Sequence, residues 1–283
     1  MYKERVNNTE LKILKTISTD VKSVMALAKA LEKSKSYISE CITHLEQMGF
    51  VDVQHQGNVT ILHIARTPLG NEISKLLREE AIMNSYKCIG GSRLKIMPLV
   101  LEPGYSAKEI SERARLSPRT VQAILGGWRQ MGLVVLRGRT YTLNTRHEVI
   151  ISFADKYAEH RNLSHLKERH PDGTLVWHQR DEYIFSIERE ISDGVYKPAA
   201  YSRLAELNFD IISRNEYYHY SPISSEISKA EALIQALKMD MLNPRVKQFI
   251  QQSIGNGSVT HKELEEYSKK YSIQMEVEGN LHG

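Results

Sequence analysis

Between Arg113 and Arg139 the chain places six arginines, Arg113, Arg115, Arg119, Arg129, Arg137 and Arg139, and no Asp or Glu. A guanidinium keeps its charge at any working pH and presents a planar fork of donors. That geometry suits phosphate oxygens and the O6/N7 edge of guanine. Arg113 and Arg115 precede a Leu-Ser-Pro turn, Arg119 follows it, and Arg137 and Arg139 flank Gly138. The chemistry offered is contact with a polyanion; the bland alternative is a solvated face. All-arginine usage in a turn, a helix and a hairpin tip together favours contact.

Net charge is +4 over 283 residues, but it is unevenly placed. Residues 1–91 carry +2, residues 92–163 carry +6 and residues 164–283 carry −4. Such asymmetry points to a polyanionic partner for the middle of the chain. A hydrophobic content of 41% is ordinary for a globular protein. No stretch approaches the ~18 apolar residues of a membrane helix, and the first residues lack the apolar core of a signal peptide. With two cysteines, Cys41 and Cys88, no disulfide framework or zinc site is expected, and Cys41 is expected to be a buried thiol. A cytoplasmic protein without cofactor, metal or membrane partner is the expectation.

The elements that must position the arginines occur twice. Ser23–Val51 aligns with Ser106–Val134 at a constant offset of 83 residues without a gap. Ser34 falls on Ser117, Ile38 on Val121, Ile42 on Leu125 and Leu45 on Trp128, and Gln47-Met48-Gly49 repeats as Gln130-Met131-Gly132. A period this long marks a duplicated unit. Each copy opens with a helix (Thr9–Ile17, Ser92–Leu101). A short helix (Val24–Leu31, Ala107–Ala114), a turn and a longer helix (Lys35–Met48, Pro118–Met131) follow. Apolar residues at i, i+4, i+7 give the longer helix one buried stripe. Ser34 and Ser117 stand at the N-cap, Pro118 at the first helical position, and Gly49 and Gly132 just past the end. Alternating segments then predict hairpins, around Gln56-Gly57-Asn58 in copy one and Arg137-Gly138-Arg139 in copy two.

This order, with "RTPLGNEISKLL" after the first hairpin, resembles the MarR/ArsR-type winged-helix transcription regulators over residues 9–160. Thr67 and Gly70 match the Thr-x-x-Gly with which that family opens a helix after its wing. The resemblance implies two tandem winged helix-turn-helix domains, 1–91 and 92–163; with the small α+β domain read below at 172–283, an α+β, mainly α chain is expected. The resemblance also implies a DNA-binding regulator, with helix 118–131 in the major groove and wing 134–143 on the backbone or minor groove. Flanking helices at Thr67–Lys87 and Thr145–Arg161 are expected to pack on their own copy, with a homodimer interface as the second option.

A winged helix can also dock proteins. Charge separates the copies: the window 113–139 carries +6, whereas the equivalent window 30–56 carries −2. Because phosphate contacts release counterions, the second copy is the better expected DNA binder. Arg119, Thr120, Gln122 and Ala123 are expected to face outward near the helix start, where base edges are reached. Ser117 caps that helix beside the contact surface. Arg113, Arg115, Arg137 and Arg139 suit phosphates or the minor groove. In the first copy Lys33, Lys35, Ser36, Tyr37, His55 and Gln56 are the candidates. Gly126 and Gly127 stand where the first copy has Thr43 and His44, and they cost a helix about 1 kcal/mol each relative to Ala. Close backbone approach or a bend would explain them.

Beyond His170-Pro171-Asp172-Gly173 the chain turns acidic. Thr174–Glu188 reads as strand, Lys197–Leu207 as helix and Phe209–Ser221 as strand. Helices follow near Ser225–Met239, Asn243–Gln252 and Thr260–Tyr271, the last with a Thr260/Glu263 capping box. The order is similar to the C-terminal part of AbiEi-like antitoxin regulators, which implies a protein partner such as a nucleotidyltransferase-type toxin. An effector-binding or dimerisation domain is the plainer reading. Asp172, Glu188 and Glu190 resemble a metal-dependent nuclease layout, but its lysine is missing, because position 190 is Glu. His160, His165 and His170 turn about 140° per five-residue step and share no face. No catalytic residue is assigned.

Overall fold

Two serines set the register of the repeated part. In a computed structural model, which describes residues 4–19, 22–56, 59–78, 85–223 and 226–273, Ser34 and Ser117 each accept from the backbone N–H three residues on. Their backbones nearly superpose in angle, φ −64°, ψ 148° and φ −65°, ψ 145°. Each cap satisfies one of the orphan N–H groups at a helix start.

The first copy comprises α1 (Asn8–Thr19), β1 (Lys22–Ser23), α2 (Val24–Ala30), α3 (Lys35–Gln47) and the hairpin β2 (Val51–Gln56)–β3 (Val59–Ile64). α4 (Pro68–Arg78) and α5 (Ser85–Ile89) follow. The second copy comprises α6 (Arg93–Ile96), a 3-10 turn (Met97–Val100), α7 (Ala107–Ala114), α8 (Pro118–Gln130), the hairpin β4 (Val134–Arg137)–β5 (Thr140–Leu143) and α9 (Glu148–Arg169). The single helix expected at Ser92–Leu101 is therefore split. Pro98 lacks an N–H and cannot continue an α-helix, so the chain tightens into the 3-10 turn. The Gly57-Asn58 turn and the middle of the Thr67–Lys87 helix lie outside the described residues.

The sheets repeat as well. β1, β3 and β2 form an antiparallel three-stranded sheet in that order. In the second copy the first strand shrinks to one bridge, Tyr105 to Tyr141, beside the two-stranded β4–β5 pair.

One contiguous core runs through both copies, from Val6 to Tyr157. It holds the α3 stripe Ile38, Ile42 and Leu45 and the α8 stripe Val121, Leu125 and Trp128. Trp128 is fully buried, and its indole N–H donates to the Lys87 carbonyl at 2.9 Å, so the ring is buried without an unmet donor. The flanking helices spend their apolar residues in this core: Leu69, Ile73, Leu76 and Leu77 from α4, and Ile150, Phe153, Ala154 and Tyr157 from α9. Cys41 is buried and free, as is Cys88. Burial, then the nearby Glu10 carboxylate, pushes the Cys41 thiol above its ordinary range.

The Thr-x-x-Gly motif has a local cause. The Thr67 hydroxyl accepts from the Gly70 N–H at 3.1 Å. A side chain at Gly70 would strike the Ala65 carbonyl at the end of β3, so the helix can start that close to the strand only with glycine.

The chain divides into two units, Met1–Arg161 and Asn162–Gly283, and α9 carries it across the boundary. The second unit is an antiparallel sheet of order β6–β7–β9–β8 (Thr174–Gln179, Glu182–Ile187, Glu216–Tyr220, Lys197–Pro198) with α10 (Ala200–Glu206), α11 (Lys229–Met239), α12 (Pro244–Gly255) and α13 (His261–Tyr271). The stretch expected as one strand at 174–188 is a hairpin. Its turn, Arg180-Asp181, lacks glycine; Arg180 adopts φ 58°, and Asn162 of α9 donates to the Arg180 carbonyl at 3.1 Å to hold it. The strand expected at 209–221 pairs only from Glu216. The Thr260/Glu263 capping box forms. Among the described residues no helix is long and apolar enough to cross a membrane.

Candidate functional site

α7, its turn and α8 present a surface whose geometry is copied from α2, its turn and α3. The turn residue Arg115 takes the left-handed region at φ 52°, and so does its counterpart Glu32 at φ 52°. The helices end alike, on Met48 and Met131, with Gly49 at φ 72° and Gly132 at φ 69°. In both long helices the same seven positions are exposed. In α8 these are Pro118, Arg119, Gln122, Ala123, Gly126, Arg129 and Gln130; in α3 they are Lys35, Ser36, Ser39, Glu40, Thr43, Glu46 and Gln47, with Tyr37 exposed in addition. At these positions the second copy carries two basic groups and no acid, and the first carries one basic group and two acids.

The arginines of the second copy do not stand alike. Arg115, Arg119, Arg129 and Arg139 are exposed and make no ion pair among the described residues. Arg113 is half-buried, its guanidinium lying over the Tyr105 ring at 4.1 Å, which ties α7 to the sheet edge. Arg137 donates to the Glu102 carboxylate at 2.7 Å. The window without acids is thus met by an acid from outside it, and one charge of the β4–β5 hairpin is balanced within the protein. Ser117 and Thr120 are committed to the cap: their hydroxyls lie 2.8 Å apart, and the Ser117 Oγ accepts from the Thr120 N–H.

Gly126 and Gly127 do not interrupt the helix, because α8 runs unbroken from Pro118 to Gln130. A Cβ at either would meet nothing within 4 Å, so no neighbouring helix in the unit requires them. In the first copy the equivalent His44 has work to do. Its Nδ1 lies 2.7 Å from the buried Glu10 carboxylate and links α3 to α1. The second copy has Arg93 at the Glu10 position, which donates to the Gly90 carbonyl at 3.3 Å instead.

Lys33, Lys35, Ser36 and Tyr37 are all exposed around the start of α3. His55 is exposed on β2, 3.4 Å from the Thr60 hydroxyl. The side chain of Gln56 lies outside the described residues.

Sequence reasoning missed a buried polar cluster in the second unit. Lys270 Nζ lies 2.9 Å from Glu231 and 3.1 Å from Glu182. The Tyr271 hydroxyl donates to Glu231 at 2.8 Å, and Gln235 donates to Tyr271 at 2.7 Å while accepting from the Ala200 N–H. Burial opposes the Lys270 charge, but the two carboxylates hold its pKa above the ordinary value. Burial, then Glu231, pushes the Tyr271 phenol well up. These groups join α13, α11 and the sheet. Their separation in sequence left no motif to find; only Glu231 and Gln235, four apart on α11, share a helix face.

The three carboxylates of the nuclease-like pattern do not gather. Asp172 is paired with Arg189 at 3.2 Å, which lowers its pKa, and Glu188 with Arg214 at 3.2 Å. The three histidines also part: His160 sits against Gly49, His165 bonds the Tyr183 hydroxyl at 2.9 Å, and His170 stacks on Phe185. Comparison with family models and with curated proteins finds no match for this chain.

Proposed function

We propose that the chain is a non-enzymatic, DNA-binding transcription regulator built on two tandem winged helices, in which the second copy reads duplex DNA. α8 enters the major groove, and the β4–β5 hairpin lies on the backbone or minor groove. The observation that carries this reading is the set of four exposed arginines without an ion pair, Arg115, Arg119, Arg129 and Arg139, on turn, helix and hairpin tip. Arg119 and Gln122 suit base edges at the helix start, and Arg115, Arg129 and Arg139 suit phosphates. Gly126, with open space around it, leaves the middle of the exposed α8 face free of side-chain bulk, which suits close approach to a groove wall.

The first copy supports a different role. Glu40 and Glu46 occupy the face that holds Ala123 and Arg129 in α8, and carboxylates there repel phosphates. A docking surface for a protein partner fits it better.

The test is fluorescence anisotropy of the full chain on a mixed-sequence duplex at rising salt. Each phosphate contact contributes about −0.9 to the slope of log K against log salt, so four arginines predict a slope between about −2 and −4. Absence of binding at low salt would sink the reading in favour of a protein-docking adaptor.

A further inference from the structure

The first unit contains a second cationic feature, away from the α8 face. A cavity of about 380 Å³ opens between the end of α1, the end of β3 and one side of α4. Arg66, Arg78 and His63 line it together with the amide of Asn71 and the hydroxyls of Ser18 and Ser74. Ile17, Ile64 and Ala65 supply an apolar wall. Among the described residues no carboxylate lines it. Arg66 and Arg78 are exposed and their guanidinium groups make no ion pair among the described residues. The nearby Asp52 spends one carboxylate oxygen on the Arg66 backbone N–H at 2.9 Å.

We propose that this cavity is a binding site for a small organic anion, a carboxylate or phosphate monoester with an apolar body. Arg66 and Arg78 meet the acidic group, Asn71 and Ser74 orient it, and Ile17 and Ile64 cover the body. The volume lies in the range of small-molecule sites, which combine apolar walls with a few convergent polar groups. Guanidinium pairs favour planar carboxylates and phosphates through two-pronged, charge-assisted hydrogen bonds. The cavity belongs to the first copy, whose α3 face is the acidic one, so the site does not depend on the DNA-binding role assigned to α8.

The probes are phenyl phosphate and benzoate, with benzyl alcohol as the neutral control, titrated into the full chain by isothermal calorimetry or amide chemical shifts. Saturable binding of either anion, absent for the alcohol and at least about tenfold weaker in Arg66→Gln/Arg78→Gln, is expected. Both positions are exposed, and a thermal melt of the double variant checks that the fold is kept. Arg119→Ala should bind the anions as the parent does. No saturable binding of either anion, or binding that the double variant leaves unchanged, overturns the proposal. So does a double variant that loses only DNA affinity, which would make these arginines part of a nucleic-acid surface.

Discussion

The two copies share a backbone to within a few degrees at the caps of α3 and α8 and in φ at the turn residue before them, yet they differ in what that backbone displays. Glu32, Ser36, Glu40 and Glu46 in the first become Arg115, Arg119, Ala123 and Arg129 in the second. None of these residues is buried, so none is needed for the core. The buried stripe is held to apolar residues in both, Ile38/Val121, Ile42/Leu125 and Leu45/Trp128. Packing thus constrains one face of each helix, and the other is free to take a charge suited to its partner. The copies also solve helix packing differently: a Glu10–His44 pair ties α1 to α3, while Gly127 leaves the same place in α8 open.

The comparison breaks most decisively if the second copy is given the charge of the first. If α8 reads DNA as proposed, Arg119→Glu/Arg129→Glu should weaken duplex binding by about 100-fold or more at moderate salt, by removing one base-side and one phosphate-side cation and adding two repelling charges. The slope of log K against log salt should flatten by about 1 unit, the share of Arg129. Reversing Glu40 and Glu46 to Lys in the first copy should add less. Equal effects in the two copies would mean that charge, rather than the placement of the second copy, governs binding.

Next in size is a contrast at the two helix-ending glycines. Both have positive φ, where a Cβ costs about 1 kcal/mol or more. At Gly132 a Cβ meets nothing, so Gly132→Ala should cost about that amount. At Gly49 it would run into the His160 ring, so Gly49→Ala should cost about 2–3 kcal/mol. Urea melts of the two variants check the order. A Gly132→Ala cost equal to that of Gly49→Ala would show that the ring yields freely.

The duplication made most of the first unit legible. Capping serines, stripe spacing and end glycines are local signals, and the two copies confirm each other's boundaries. The helices α7 and α8 follow the expected spans to within a residue. What failed had non-local causes. The pairing of Arg137 with Glu102 joins residues that no periodicity relates, and the stacking of Arg113 on Tyr105 is likewise a matter of folding. The hairpin at Arg180-Asp181 carries no turn glycine; Asn162 holds it from another element. The Glu182–Lys270–Glu231 cluster joins a strand to two helices, and a sequence shows such residues only as scattered charges.

Smaller effects sharpen the α8 comparison. Gly126→Ala and Gly127→Ala each meet open space within a helix, so each should stabilise the unit by up to about 1 kcal/mol. If Gly126→Ala also lowers DNA affinity while raising the melting temperature, close approach to DNA explains the residue. If affinity is unchanged, the glycine has no part in contact. Glu102→Gln should raise DNA affinity a few-fold by releasing Arg137, since an exposed ion pair is worth only about 0–1 kcal/mol.

The smallest expected effect is a pH dependence carried by the contact between Gly49 of the first copy and His160 of α9. His160 lies against Gly49, and burial lowers its pKa. The folded protein therefore keeps the ring neutral where an unfolded imidazole, with pKa about 6.5, begins to take up a proton. Below that value the unfolded state binds more protons, so stability falls as pH drops through the window that opens near 6.5. Above it the contribution is constant. Between pH 7 and 6 only the onset is sampled, so the change is small. His160→Leu should keep the contact with Gly49 and flatten the difference between melts at pH 7.5 and 5.5. His170, whose pKa is also lowered by burial and by Arg189, is present in both proteins and cancels in the comparison. An unchanged pH slope in His160→Leu would assign the acid sensitivity elsewhere and leave the Gly49–His160 contact a matter of shape alone.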